Sequence, residues 1–410
     1  MSRGLSHGKL ALEGGCAVRA RPWSLKHDVD TRDERCVLRA LRTGHWSTGP
    51  MTKRFEVEFA DFCGAKHCML VENGTAALKI ALQAIGIGPG DEVVIPGMTW
   101  PSVAAAVLEC RGVPVPVDID LENFGLSAQG VEAAVSARTK AIVPTHLFCS
   151  QTDIAPLQRI ARTHRLEVIE DCAHAPGARR FGKVVGTFGR AGVFSFNQKK
   201  LLSCGEGGCL ITNDSMFFER AQSLQHFDAQ PKAVVPGTHL VSELQAAVLL
   251  SQLRRFSRRL RLMEERAEWL RELLLKIDGV VPLTRLSGTD RQTFYNFCFR
   301  VGDARDIAWF RRALAAELNL PISGAYAPLC DVKALRTGRD PRFRELGKHL
   351  RVRLPVSSLA HYGQAVRFSH FALMAGDQDI IDIARAIEKV CTHARSSCLQ
   401  GGNSRPQDSG

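Results

Sequence analysis

The sequence predicts an α/β protein: a mostly parallel central sheet flanked by helices, followed by a smaller C-terminal α+β domain. Two patterns carry this. Between residues 68 and 212, short apolar segments of strand length alternate with segments of helical period, which is how helices come to cover both faces of a parallel sheet. After a long amphipathic stretch at 242–277 the alternation stops, and one strand and two helices remain.

The first 40 residues are rich in Arg, Pro and Gly and read as an arm, with a helix predicted at 31–43 and another at 55–62. Cys68 to Val71 is a short apolar strand. The apolar run from Thr75 to Ile85 is a helix stopped by Gly86-Ile87-Gly88-Pro89-Gly90. Strands follow at 92–95, 114–117, 140–144, 166–170, 191–196 and 208–212, with helices at 102–110, 128–137 and 154–164 between them. The helix at 242–277 bridges two domains. Beyond it the pattern gives a strand at 295–301, helices at 307–318 and 379–390, and a polar tail from 396 to 410 that lacks the apolar content to fold. The expected divisions are an arm (1–40), a large domain (41–255), a small domain (256–395) and the tail.

With 410 residues, 45% of them hydrophobic, the chain can bury a large core. It has no apolar run of about 18 residues, the length a membrane helix needs, and no apolar signal core near its start. Its 13 cysteines are odd in number and form no Cys-x-x-Cys pair. Reduced thiols in the cytoplasm are the expectation, with no metal site. The net charge of +12 invites a nucleic-acid partner. Much of it lies in Leu253 to Arg261, however, where leucines and Phe256 recur at helical spacing. A solvated helix face explains the charge without nucleic acid.

Two motifs carry chemistry. Glu170-Asp171-Cys172-Ala173-His174 ends an apolar strand, and Lys199-Lys200 lies in a loop punctuated by Gly205, Gly207 and Gly208. A carboxylate at a strand's carboxyl end and a downstream lysine are what pyridoxal phosphate chemistry requires. The lysine holds the cofactor as an imine, and the aspartate keeps the pyridine nitrogen protonated. Alone, Asp171 reads more readily as a helix N-cap or a loop carboxylate, and the downstream lysine motif reverses that. Spacing does not decide between Lys199 and Lys200. Glu72-Asn73-Gly74-Thr75 opens a helix after a strand, where free N–H groups suit a phosphate as well as a plain cap. Trp100 follows a strand end and can stack on a flat ring or fill core. Gly177 to Lys183 imitates a nucleotide phosphate loop, but Val184 stands where a Ser or Thr is needed.

With these residues in place the chain resembles the DegT/DnrJ/StrS-type sugar aminotransferases, pyridoxal phosphate enzymes of fold type I. The resemblance spans roughly residues 8–393. It rests on Trp46-Ser47-Thr48-Gly49, Asn73 to Ala77, Gly88 to Val93, Glu170 to His174, Phe194-Ser195-Phe196 and Gly205 to Gly208 taken together. It implies that Lys200, not Lys199, forms the imine, that Ser195, Gly74 and Thr75 bind the phosphate, and that Asp171 pairs with the ring nitrogen. It further implies that His174 approaches the ring hydroxyl oxygen, that Trp100 stacks on the ring, and that the protein is a homodimer with shared sites. One segment departs: Thr238-His239-Leu240 stands where the family usually has Asn-Tyr-Arg. Thr238 would then reach the partner's cofactor phosphate in place of the asparagine.

The activity implied is transfer of an amino group from glutamate or glutamine to a keto-cyclitol or keto-sugar in specialised metabolite biosynthesis. Leu354 to Tyr362, Val366 to His370 and Ala325 to Leu329 resemble the cyclitol-acting branch. The alternatives are a nucleotide-sugar aminotransferase and an inert regulatory protein on the same fold. A dehydratase relative would carry histidine in place of Lys200.

Overall fold

The structure is a computed structural model that describes residues 9–227, 235–302, 306–336 and 352–401. In chain order the elements are α1 (Thr31–Arg42), α2 (Pro50–Cys63), β1 (His67–Val71), α3 (Gly74–Ala84), β2 (Glu92–Pro96), α4 (Ser102–Glu109), β3 (Val113–Val117), α5 (Ala128–Ala134) and β4 (Thr139–Ile142). Next come α6 (Ile154–His164), β5 (Glu167–Asp171), β6 (Arg179–Arg180), β7 (Lys183–Val184), β8 (Ala191–Ser195), β9 (Gly208–Thr212), α7 (Ser215–Gln225) and α8 (Glu243–Leu274). The chain continues with β10 (Val280–Pro282), β11 (Thr289–Arg291), β12 (Asn296–Val301), α9 (Ile307–Leu318), α10 (Lys333–Arg336), α11 (Pro355–Ser358), β13 (Ala365–Ser369) and α12 (Asp377–Gly401).

The central sheet has the strand order β1-β9-β8-β5-β4-β2-β3. Strands β8, β5, β4, β2 and β3 are parallel neighbours, while β9 runs antiparallel to both β1 and β8. The mixed, mostly parallel α/β sheet expected from the alternation is therefore present. Its strands alternate between two cores with period two. Met69, Val71 and Leu210 pack on α3, α4 and α7, whereas Cys68, Leu70, Cys209 and Ile211 join the core built on α2 and α8. A second sheet, β10-β12-β13, is antiparallel and packs with α8, α9 and α12.

The long helix α8 begins with a capping box in which Ser242 accepts from Gln245 N–H. Three of its arginines are engaged within the chain: Arg255 pairs with Asp30 and Asp33, Arg254 with Glu58, and Arg266 with Asp377. Next to its first turn, the fully buried Glu243 accepts from the N–H groups of Gly49, Met51 and Thr52 and from the Thr52 hydroxyl, at 2.6–2.9 Å. A carboxylate from α8 thus satisfies the orphan donors of α2. Pro50 at the first position explains why α2 starts five residues before the predicted boundary.

Other differences follow from local chemistry. The strands β6, β7 and β11 are two or three residues long and too short to show alternation. Helix α12 was predicted to stop at 390 and give way to a tail at 396. It runs instead to Gly401, because no breaker intervenes before Gly401-Gly402, and Ser396 Oγ donates to the Thr392 carbonyl. Residues 402–410 of the expected tail lie outside the described residues.

The arm is tied down. Arg19 and Arg21 pair with Asp379 at the start of α12, and Trp23 Nε1 donates to the Leu318 carbonyl at 2.7 Å. The arm then crosses to the large sheet, where His27 Nε2 lies 2.8 Å from the Gln198 carbonyl, two residues from Lys200. Among the described residues no disulfide forms, and no helix is long and apolar enough to cross a membrane.

Candidate active site

Strand β5 delivers two adjacent carboxylates to opposite sides of the sheet. Glu170 is fully buried and accepts from Gly186, Phe188 and Gly189 N–H, all at 2.8 Å, and from His146 Nε2 at 3.1 Å. It holds the loop after β7 against the sheet. Cys172 joins Glu170 and His146 within 4.8 Å, but both Glu170 oxygens are engaged in these hydrogen bonds. Asp171 instead faces a cavity of about 940 Å³ at the carboxyl ends of the parallel strands, where open α/β sheets bind ligands.

Asp171 Oδ1 accepts from Ala173 N–H at 3.0 Å. Burial raises its carboxyl pKa, against the opposing pull of that N–H, Lys200, His146 and Thr145. Lys200 lines the same cavity, and burial lowers its amine to about 8, with Asp171 resisting the shift. Its Nζ lies 4.5 Å from the centre of the Tyr295 ring. Lys199 also reaches the cavity rim but is exposed.

His174 is stacked on Tyr295 with ring centres 4.0 Å apart. Phe148 N–H donates to its Nδ1 at 3.1 Å, so the neutral ring carries its proton on Nε2. Burial drives its pKa well below the ordinary histidine value, and the positive charges of Lys200 and Arg367 act in the same direction.

The opposite wall is the first turn of α3. Asn73 caps it by accepting from Ala76 N–H at 2.8 Å, and the N–H groups of Gly74 and Thr75 have no partner within the helix. This turn lies flush against the sheet. A Cβ on Gly74 would come within 3.0 Å of Ser195 Cβ, and one on Gly208 would sit 2.3 Å from the Asn73 carbonyl carbon. The glycines let a helix N-terminus, the end of β8 and the start of β9 share one corner. Ser195 lines that corner. Trp100, 55% exposed, stands at the cavity mouth 5.3 Å from the Tyr326 ring.

Gly74, Thr75, Trp100, Asp171, His174, Ser195 and Lys200 therefore line one cavity. Thr238 does not line it. Its neighbour His239 does, held by Glu72 Oε1 at 2.7 Å from Nδ1. The sequence reading missed Tyr295, Asn296, Thr99 and Thr145 as wall residues. Thr99 and Thr145 share a 3.1 Å hydroxyl contact. Thr145 follows a strand predicted to end at 144, so its place at a strand's carboxyl end was a usable signal. Asn296 opens β12 of the second sheet and Tyr295 directly precedes it, and nothing in the sequence says where that sheet docks.

These residues fit pyridoxal phosphate. A partly buried lysine with a depressed pKa, a carboxylate that needs a cationic partner, an open helix N-terminus and an exposed tryptophan match its aldehyde, ring nitrogen, phosphate and ring face.

The family model described as the DegT/DnrJ/EryC1/StrS aminotransferase family matches residues 27–340. An L-glutamine:2-deoxy-scyllo-inosose aminotransferase of Streptomyces kanamyceticus is 36% identical, over 95% of this chain and 98% of that protein. An L-glutamine:scyllo-inosose aminotransferase of Streptomyces griseus is 35% identical over 94% and 98%. Among solved structures, 3-amino-5-hydroxybenzoic acid synthase superposes with a TM-score of 0.81 at 31% identity, covering 92% of this chain and all of that one. DesI, solved in the presence of its TDP-sugar product, gives a TM-score of 0.83 at 25% identity over 96% of this chain and 99% of that one.

Proposed function

The chain belongs to the DegT/DnrJ/EryC1/StrS aminotransferase family, and from that premise we propose that it moves an amino group from L-glutamine to a keto-cyclitol. The observation that carries the substrate choice is the near full-length similarity to relatives named as glutamine:inosose aminotransferases. The cavity wall supports it: Thr99, Thr145, Ser323, Tyr295 and Tyr326 bring hydroxyls suited to a neutral polyhydroxy ring. Such a wall discriminates strongly, because loss of one substrate hydroxyl leaves a buried partner unpaired.

Pyridoxal phosphate, when bound, supplies the electron sink that lets an amino group be taken from one substrate and given to another. In the proposed arrangement Lys200 Nζ holds it covalently. Gly74, Thr75 and Ser195 take its phosphate, Trp100 covers its ring, and His174 Nε2–H donates to its hydroxyl oxygen. Asp171 keeps a proton on the ring nitrogen, which offsets the burial that raises its own pKa. Once freed by the donor's amine, Lys200 Nζ is the base that removes and returns the proton at the reacting carbon. Its pKa, lowered to about 8, leaves a sizeable neutral fraction near physiological pH, far more than an ordinary lysine has. The family's dimeric sites give Thr238 its proposed role at the partner's phosphate, and the reduced thiols fit a cytoplasmic enzyme.

Absorbance tests the reaction type. The holoenzyme should show a visible band that L-glutamine bleaches and a keto-inositol restores. A band that no amino acid bleaches would instead favour the inert, regulatory reading.

A further inference from the structure

We infer that Arg367 receives the carboxylate of the amino donor and so fixes the donor class. The inference rests on the aminotransferase reading and adds the group that tells donor from acceptor. Both substrates must reach Lys200 in turn, and a keto-cyclitol is neutral whereas an amino-acid donor brings an anion. The cavity therefore needs one cation that is not committed elsewhere. Lys79 sits 3.5 Å from Glu109, and Lys199 is exposed at the rim. Arg367 projects into the same cavity from β13, and no carboxylate of the described residues forms an ion pair with it.

Its mounting is rigid. The Arg367 and Ser323 backbones exchange two hydrogen bonds, at 2.8 and 3.0 Å. In the side chain, Nε donates to the Gly324 carbonyl at 2.6 Å and Nη1 to Asn296 Oδ1 at 3.2 Å. Two of the five guanidinium donors are thereby used for orientation. The planar group lies 5.0 Å from the Phe148 ring centre and 5.2 Å from that of Tyr326, which strips water from it and sharpens its preference for an anion. Tyr295, under Lys200 Nζ, and His174 both feel its charge. A fixed fork lining the same cavity as the reacting amine is suited to a carboxylate.

The test pairs a non-reacting probe with kinetics. Glutaramate is glutamine without its α-amine, and glutaramide also lacks the carboxylate. Calorimetry on the holoenzyme should show Arg367→Gln binding glutaramate about 10- to 100-fold more weakly than wild type, the loss of charge-assisted hydrogen bonds. Arg367→Lys should fall between them, and glutaramide should change by less than about threefold. In turnover, KM for L-glutamine should rise by a similar factor while KM for the keto acceptor stays within about threefold, which also shows that the fold survives. Equal glutaramate affinity in wild type and Arg367→Gln, or an acceptor KM that rises as steeply as the donor's, would overturn the assignment with the aminotransferase reading intact. A wild-type holoenzyme that no amino acid can aminate would overturn that reading, and this inference with it.

Discussion

At the scale of residues, two adjacent lysines separate a covalent role from a surface one. Lys200 lies in the cavity over Tyr295, while Lys199 is exposed. Lys200→Ala should lose the borohydride-reducible link and at least about 10²-fold of transamination, the contribution of a placed base. Lys199→Ala should keep both, and a reduced label mapped to Lys199 would contradict the assignment. The environment of Lys200 also sets a pH dependence. Only the neutral amine attacks an aldehyde, so the rate at which cofactor-free protein captures pyridoxal phosphate should rise with pH and level off above about 8. Asp171 favours the ammonium form, so Asp171→Asn should move that midpoint to lower pH. An upward shift in stopped-flow measurements would show that Asp171 does not act on the amine. Asp171 and the Lys199-Lys200 pair were legible in the sequence because a strand end and a glycine-rich loop announce them, while the choice of Lys200 came from the family resemblance. Arg367 was visible only as part of a branch-like motif, since its meaning depends on which rings and carbonyls surround it.

At the scale of elements, Glu243 joins the start of α8 to the start of α2 through four hydrogen bonds. Glu243→Gln keeps the shape but removes the charge and turns one acceptor into a donor facing N–H groups. We expect about 3 kcal/mol of lost stability by urea unfolding, the scale of a few buried donors left unmet. A loss under about 1 kcal/mol would mean that the turn is held by something else. Gly208→Ala should also destabilise, by about 3 kcal/mol or somewhat less, because backbone cannot retreat from the added methyl as a side chain can. It should weaken cofactor retention in parallel, since the Gly74 turn is what the methyl strikes. The long amphipathic helices and the apolar parallel strands could be read from periodicity. The short strands β6, β7 and β11, and the extension of α12 to Gly401, could not. Two or three residues carry too little period to read, and a polar helix end and a polar tail look alike in composition.

At the scale of the whole molecule, the sheet and its ligand-bearing edge followed from alternation, whereas the docking of the second sheet, which brings Tyr295, Asn296 and Arg367 to Lys200, did not. Long-range packing decides it. We expect a homodimer by sedimentation, and Thr238→Asn should retain the cofactor at least as tightly as wild type, because the longer amide adds a donor toward the partner's phosphate. A clear loss of affinity in a folded Thr238→Asn protein would place that segment elsewhere. The central claim is the reaction itself, and the direct measurement is amination of paired acceptors by the purified holoenzyme with L-glutamine as donor. A keto-inositol should be converted to the corresponding amino-cyclitol, with a nucleotide-linked keto-sugar left unchanged. Conversion confined to the nucleotide-linked sugar would contradict the account.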